Sequence, residues 1–188
     1  MKIWNVIALV GMMVLAGCGD GSSSSSTSLG MLGFKLGQEI DYTDKAAIKS
    51  LGITKVTKED NGSISCEFKT NKPFRKFNTG SVIIDPKTKR VYIISSIIEG
   101  QGTEKSLEIA NESDVTYEVM KEKFGGEWKR TREEYGTSFT DGKLGNGITA
   151  SIIFRSSYGS SSCHIVLRNS DVVQEIKKRN LKKDVDSL

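Results

Sequence analysis

Val91-Tyr92-Ile93-Ile94-Ser95-Ser96-Ile97-Ile98 carries apolar side chains at both odd and even positions. A strand with one wet face alternates with a period of two, so a run apolar on both faces reads as a central strand. Upstream, Ser81-Val82-Ile83-Ile84 is joined to it through Asp85-Pro86-Lys87-Thr88-Lys89, where proline presets a turn, so the two form a hairpin. Further back, Ile53 to Val56 and Ile64 to Phe68 flank Asn61-Gly62. That pair tolerates the positive φ angles of a type I′ turn and predicts another hairpin over Ile53 to Lys69. Between the hairpins, Asn71-Lys72-Pro73-Phe74-Arg75-Lys76-Phe77 mixes aromatics with cations. The two rings are expected on the core, with solvated charges between them.

Toward the N-terminus, Leu29 to Ile40 reads as a short strand containing Phe34 and Leu36. Its glycines do not make a phosphate loop, because no strand precedes them and no lysine-threonine pair follows. Thr43 or Asp44 then caps a short helix through Ser50. Toward the C-terminus, Gly100 to Asn111 reads as a polar connection. Ser113 caps a helix that ends at Gly125-Gly126, with Val115, Val119, Met120 and Phe124 on one face. Trp128 to Tyr135 is a strand and Asp141 to Gly147 a turn. Ile148 to Arg155 alternates as a strand, Tyr158 to Ser162 is a loop, and Cys163 to Arg168 is the last strand. Ser170 caps a terminal helix that docks Val172, Val173, Ile176 and Leu181, while Lys177, Lys178, Arg179, Lys182 and Lys183 face water.

Strand runs set against few helices predict an α+β fold, a mainly antiparallel sheet of hairpins with two or three helices. The order places a helix before a meander twice, which suggests a duplicated unit with halves 29–105 and 106–188 inside a single domain over 29–188.

Composition narrows the chemistry. Hydrophobic content of 37% and charged content of 27% are those of a soluble globular body, and a net charge of +4 is too small to argue for nucleic acid. The single histidine, His164, adjoins Cys163. Neighbours on a strand point to opposite faces, so the two cannot act as nucleophile and base. One histidine leaves a Cys/His metal site short of ligands. Asp141 to Gly147 lacks the spaced carboxylates and terminal glutamate of a calcium loop. Glu39/Asp41 and Glu133/Glu134 are carboxylate pairs that nothing singles out for acid-base work. No cofactor motif is found, and the expectation is a protein that is not an enzyme.

The first residues place the protein. Met1-Lys2 is a positive start, Ile3 to Val14 an apolar run too short to span a bilayer, and Leu15-Ala16-Gly17-Cys18 follows, then glycines and five serines. Leu-Ala-Gly-Cys at this position resembles the lipobox of bacterial lipoproteins. The resemblance implies a signal peptide over 1–17, lipidation of Cys18 by diacylglycerol with a further acyl chain on its amine, and a Ser/Gly-rich tether over 18–28. It also implies a membrane-anchored, extracytoplasmic location. In a diderm cell, Gly19 in place of aspartate favours the periplasmic leaflet of the outer membrane.

Cys66 and Cys163 remain, each on the apolar side of its strand, in a compartment where disulfides persist. Either they bridge, closing a loop of roughly 100 residues for up to ~4.7 kcal/mol, or they are two separate buried thiols. The basic cluster Lys177, Lys178, Arg179, Lys182 and Lys183 is a candidate contact for a membrane surface or partner, set against a plain solvated helix end. In outline the domain is similar to small exported inhibitor-type and envelope-assembly domains. The leading expectation is a non-enzymatic lipoprotein whose sheet face or edge binds another envelope protein. The alternative is a small-ligand-binding or sensing lipoprotein with a cavity lined by residues such as Trp128, Tyr135 and Phe139.

Overall fold

The computed structural model of the chain describes residues 29–132 and 138–186. The signal segment, Cys18, the tether, Glu133, Glu134 and Tyr135 lie outside the described residues, as do the side chains of Phe139 and Lys183.

The element order is β1 (Gly30–Met31), β2 (Phe34–Lys35), α1 (Lys45–Ser50), β3 (Ile53–Lys58), β4 (Ile64–Phe74), β5 (Phe77–Asp85), β6 (Arg90–Gln101), α2 (Thr103–Phe124), β7 (Glu127–Arg132), β8 (Ser138–Gly145), β9 (Ile148–Ser157), β10 (Ser160–Asn169) and α3 (Ser170–Asp186). The fold is α+β. An eight-stranded sheet runs β3-β4-β5-β6-β10-β9-β8-β7 with every neighbouring pair antiparallel, and β1 and β2 pair separately. Two four-strand meanders, each preceded by a helix, therefore meet at β6–β10. The Val91 to Ile98 run lies within β6, at the middle of the sheet, as its two apolar faces require. The changeover between halves falls at Gly102 (φ 89°), where α2 begins, so the expected boundary at 105/106 cuts into that helix.

One face of the sheet carries Cys66, Val82, Ile94, Ile152, Cys163, Ile165 and Leu167, all buried. These cross-strand neighbours form the centre of the core, at about 1.5–3 kcal/mol for each large apolar side chain withdrawn from water. The β1–β2 hairpin covers the first meander, with the Phe34 and Phe68 rings 4.5 Å apart, and α2 covers β10, β6 and β9. Asp44 caps α1 by accepting from the Ala46 N–H, as expected.

Several local expectations change. The 59–63 turn is a three-residue loop. Gly62 N–H donates to Glu59 O, Glu59 N–H donates to Ser63 O, and only Gly62 has positive φ, so it is not type I′. Asp141 to Gly145 is strand, not turn. Gly142 sits opposite Trp128 in the β7–β8 pair, and a Cβ there would come within 2.6 Å of the indole ring. The glycine makes room for a tryptophan. The loop expected over Tyr158 to Ser162 shrinks to Tyr158-Gly159, since β10 begins at Ser160. Asn169, rather than Ser170, caps α3 by accepting from the Asp171 and Val172 N–H groups.

The largest change is α2. It begins ten residues before the expected Ser113 cap, and its buried positions are Ile109, Glu112, Ser113, Thr116 and Met120. Val115, expected inside, is exposed. A polar stripe can face the core because its charge is paired. Arg75 in the β4–β5 turn donates from Nε to Glu112 Oε1 at 2.6 Å and from Nη2 to Oε2 at 3.3 Å. Beside it, Lys76 and Lys105 both pair with Glu108. Phe74 and Phe77 are buried as expected, but the cations between them are not simply solvated: they clamp the first meander to the second unit's helix.

Candidate functional site

The other face of the sheet is where two layers fail to become three. Alternation sends Glu67, Ser81, Ser95, Ile97, His164, Val166, Ile153 and Arg155 there, opposite the core residues that neighbour them in sequence. Only α3 packs on it among the described residues, and only at one end. It leaves β10 at Ser170, whose hydroxyl lies 3.0 Å from that of Thr149, and reaches Asp85 through Arg179 Nη2 at 3.0 Å and Asn61 O through Asn180 Nδ2 at 2.9 Å. Ile176 is buried beneath it.

Away from α3 the face is open among the described residues. A shallow depression of about 530 Å³ is lined by Thr54, Glu67, Lys69, Thr79, Ser81, Ile97 and His164, with Ile97 43% exposed. Ile97 and His164 are directly opposed across β6–β10, and His164 is opposed to Ile153 across β10–β9, so an apolar and imidazole row crosses the centre. A second depression of about 340 Å³ continues past Glu99, Arg155 and Ser162 toward the strand ends. Small hydroxyl residues keep the floor low. The Ser81 and Ser95 hydroxyls share a hydrogen bond at 2.9 Å, and Ser151 donates to Asp141 Oδ1 at 2.6 Å. Gly80 is required beneath this floor, since a Cβ there would lie 2.1 Å from Ser95 O.

Burial, with Arg155 nearby, holds His164 below its ordinary pKa, so its ring is neutral at pH 7. Glu67 is paired with Lys55 at 2.9 Å. The two outer strands carry cations, Lys55 and Lys58 on β3 and Lys129 and Arg130 on β7, which discourages pairing at the edges.

Cys163 and His164 point to opposite faces, as a strand dictates. Cys163 and Cys66 are free buried thiols, each pushed up to about 11 by burial. The bridge considered between them does not form. They sit on β4 and β10, three strand spacings apart, or roughly 14 Å at ~4.8 Å per spacing, whereas a disulfide needs Cα atoms within ~7 Å. Sharing a face did not mean sharing a neighbourhood.

Tyr135 and the Phe139 side chain, expected with Trp128 around a ligand cavity, lie outside the described residues, and only the contacts of Trp128 are seen. Its ring packs edge-on against Tyr117 and its Nε1 donates to Gly125 O at 2.7 Å. Asp41 accepts from Lys89 at 3.0 Å and from Thr43, contacts that hold its carboxyl well below the usual range, and so is engaged structurally. Of the basic cluster, Lys177, Lys178 and Lys182 are exposed, whereas Arg179 turns inward to the buried Asp85. Among the described residues no group of three or more His, Cys, Asp or Glu side chains is placed to hold a metal, and no helix is long and apolar enough to cross a membrane.

Ile97, Ser81 and Ser95 are the site residues that sequence reading missed. The available signal is the two-sided apolarity of the β6 run, which marks a central strand but not which of its faces stays uncovered. Comparison with protein-family models, curated proteins and solved structures finds no match to this chain.

Proposed function

We infer that this chain is a membrane-anchored, non-enzymatic bacterial envelope lipoprotein that binds another envelope protein through the open face of its sheet. One observation supports the docking surface above all. Ile97 stands exposed at the centre of a sheet face left bare among the described residues, while the opposite face is covered by α2 and the β1–β2 hairpin. Apolar surface ringed by polar groups marks a partner site more often than a stray residue does. The hydroxyls of Ser81 and Ser95, the neutral His164 and the flanking Glu67 and Arg155 supply directional contacts around it. The charged outer strands favour the face over the edge.

The lipobox Leu15-Ala16-Gly17-Cys18 supports the anchor, since two or more acyl chains hold a protein stably at a bilayer. In a diderm cell the periplasmic leaflet of the outer membrane is the favoured site. The test joins both halves. The intact mass of chain purified from membranes should show a first residue Cys18 bearing acyl chains, and Ile97→Asp should lose the co-purifying envelope protein while keeping that mass and membrane fraction. An unacylated chain beginning at Met1 overturns the anchor. Full retention of the partner by Ile97→Asp overturns the docking face.

A further inference from the structure

α3 has two differently used sides. Its inner side packs on the sheet through the buried Ile176, with Val172 and Val173 half-buried beside it and Arg179 held by Asp85. Its outer side carries Leu181 and Val185, 65% and 61% exposed, among the exposed Lys177, Lys178 and Lys182. Leu181, expected in the core, is thus turned out by the inward anchoring of Arg179 and Asn180. Leu181/Val185 and Lys178/Lys182 are i, i+4 pairs, so apolar and cationic side chains lie side by side on one surface. Within 177–183 (KKRNLKK) there are five cations and no acid. Apolar side chains flanked by lysines suit a lipid interface, where the aliphatic tips sink beneath the headgroups and the ammonium groups meet phosphates.

A second observation says which end of the molecule meets the bilayer. The described chain begins at Leu29, whose carbonyl accepts from Leu36 N–H. The next residue, Gly37, donates to Val91 O, and Ile40 donates to Lys89 O. Arg179 reaches Asp85 from the opposite side of the sheet. Leu29 and the basic part of α3 therefore flank the same β5–β6 turn. Cys18 lies eleven positions (29 − 18) before Leu29, so the acylated residue that the lipobox implies is tied by a short stretch of chain to that turn.

We propose that the outer side of α3, formed by Lys177, Lys178, Leu181, Lys182 and Val185, is a seat for anionic lipid headgroups that sets the β5–β6 turn end down on the bilayer and leaves the open sheet face clear of it. The link to Leu29 rests on the lipoprotein reading; the pattern on α3 does not.

The test uses the intact chain purified from membranes, labelled with an environment-sensitive dye at Leu181→Cys or, for comparison, at the exposed Leu107→Cys of α2. Cys66 and Cys163 are buried and escape the label. On vesicles of phosphatidylglycerol and phosphatidylcholine the dye at position 181 should shift to the blue and brighten. It should respond much less on phosphatidylcholine alone, and the dye at position 107 should stay as in water on both. The acyl chains hold the protein at either bilayer, so the lysines govern only whether α3 touches the headgroups: Lys177→Glu, Lys178→Glu and Lys182→Glu together should bring the dye at position 181 on the phosphatidylglycerol vesicles back to its level on phosphatidylcholine alone. Equal responses at 181 and 107, equal responses on the two lipids, or no effect of charge reversal would overturn the proposal. Mass at Cys18 is read on the same sample. An unacylated chain refutes the anchor; because its free Cys18 would also take the dye, the labelling is then repeated in a Cys18→Ser background, where the reading at position 181 stands on its own, since lysine-driven binding needs no acyl chain.

Discussion

Arg75→Ala should destabilise the fold more than Glu112→Gln, although both break the same ion pair. The asymmetry comes from burial: the Glu112 side chain is 4% exposed and that of Arg75 is 35% exposed. Removing Arg75 strands a carboxylate under α2 with only the Thr116 hydroxyl, at 3.5 Å, as a side-chain donor. An uncompensated buried charge costs about 3–5 kcal/mol, and the partial exposure of this pair places the loss near the lower figure, about 3 kcal/mol. Glu112→Gln leaves instead a guanidinium that can turn to water, for about 1–2 kcal/mol. At roughly 2–4 °C per kcal/mol for a domain of this size, Arg75→Ala should lower Tm by about 6–12 °C. A double-mutant cycle separates this cause from lost packing. In the Glu112→Gln background the stranded charge is absent, so Arg75→Ala there should cost much less than Arg75→Ala alone. Urea unfolding followed by circular dichroism measures all three variants. A loss for Arg75→Ala smaller than that of Glu112→Gln, or losses that simply add, would refute the argument that the β4–β5 turn holds α2 through a buried charge.

Three other outcomes follow from the same contacts. Hydrogen bonds from Lys105 and Lys76 lower the Glu108 pKa to about 2, so its contribution is complete above the unfolded value near 4.5 and is lost as the pH falls toward 2. Lys76→Ala with Lys105→Ala should therefore flatten the acid limb of a Tm-against-pH curve, and an unchanged limb would count against the clamp. Thiol titration without reductant should find Cys66 and Cys163 unreactive in the folded chain and both reactive in denaturant; a pair released only by reductant would restore the disulfide. Gly80→Ala must displace Ser95 O or the Phe68 ring and should cost about 1–3 kcal/mol by thermal melting. A neutral result would mean that the β5–β6 approach is looser than described.

The hairpins were legible because their turns carry their own chemistry: Asp85-Pro86 and Asn61-Gly62 punctuate the chain whatever surrounds them. The first turns of α2 were not legible, because the helix buries Glu112, Ser113 and Thr116, and the group that makes this tolerable is Arg75, 37 residues away. β8 was read as a turn from Asp141, Gly142, Gly145 and Gly147, yet Gly142 answers to the Trp128 ring on the next strand. The open face was hidden for a related reason. Ile93 and Ile97 share a face of β6, but α3 lies against one end of that face and leaves Ile97 bare, and periodicity does not say where a later helix will stop. Leu181 shows the same gap in reverse, since its helix phase is set by Arg179 meeting Asp85 and not by its own apolarity.

The most direct measurement is site-specific photocrosslinking in intact cells, with a photoreactive residue at Ile97 on the open sheet face and a matched one at Leu107 on α2. The account predicts a discrete adduct with one envelope protein from position 97 and none from position 107. An adduct from 107 alone, equal adducts from both positions, or none from 97 would contradict it.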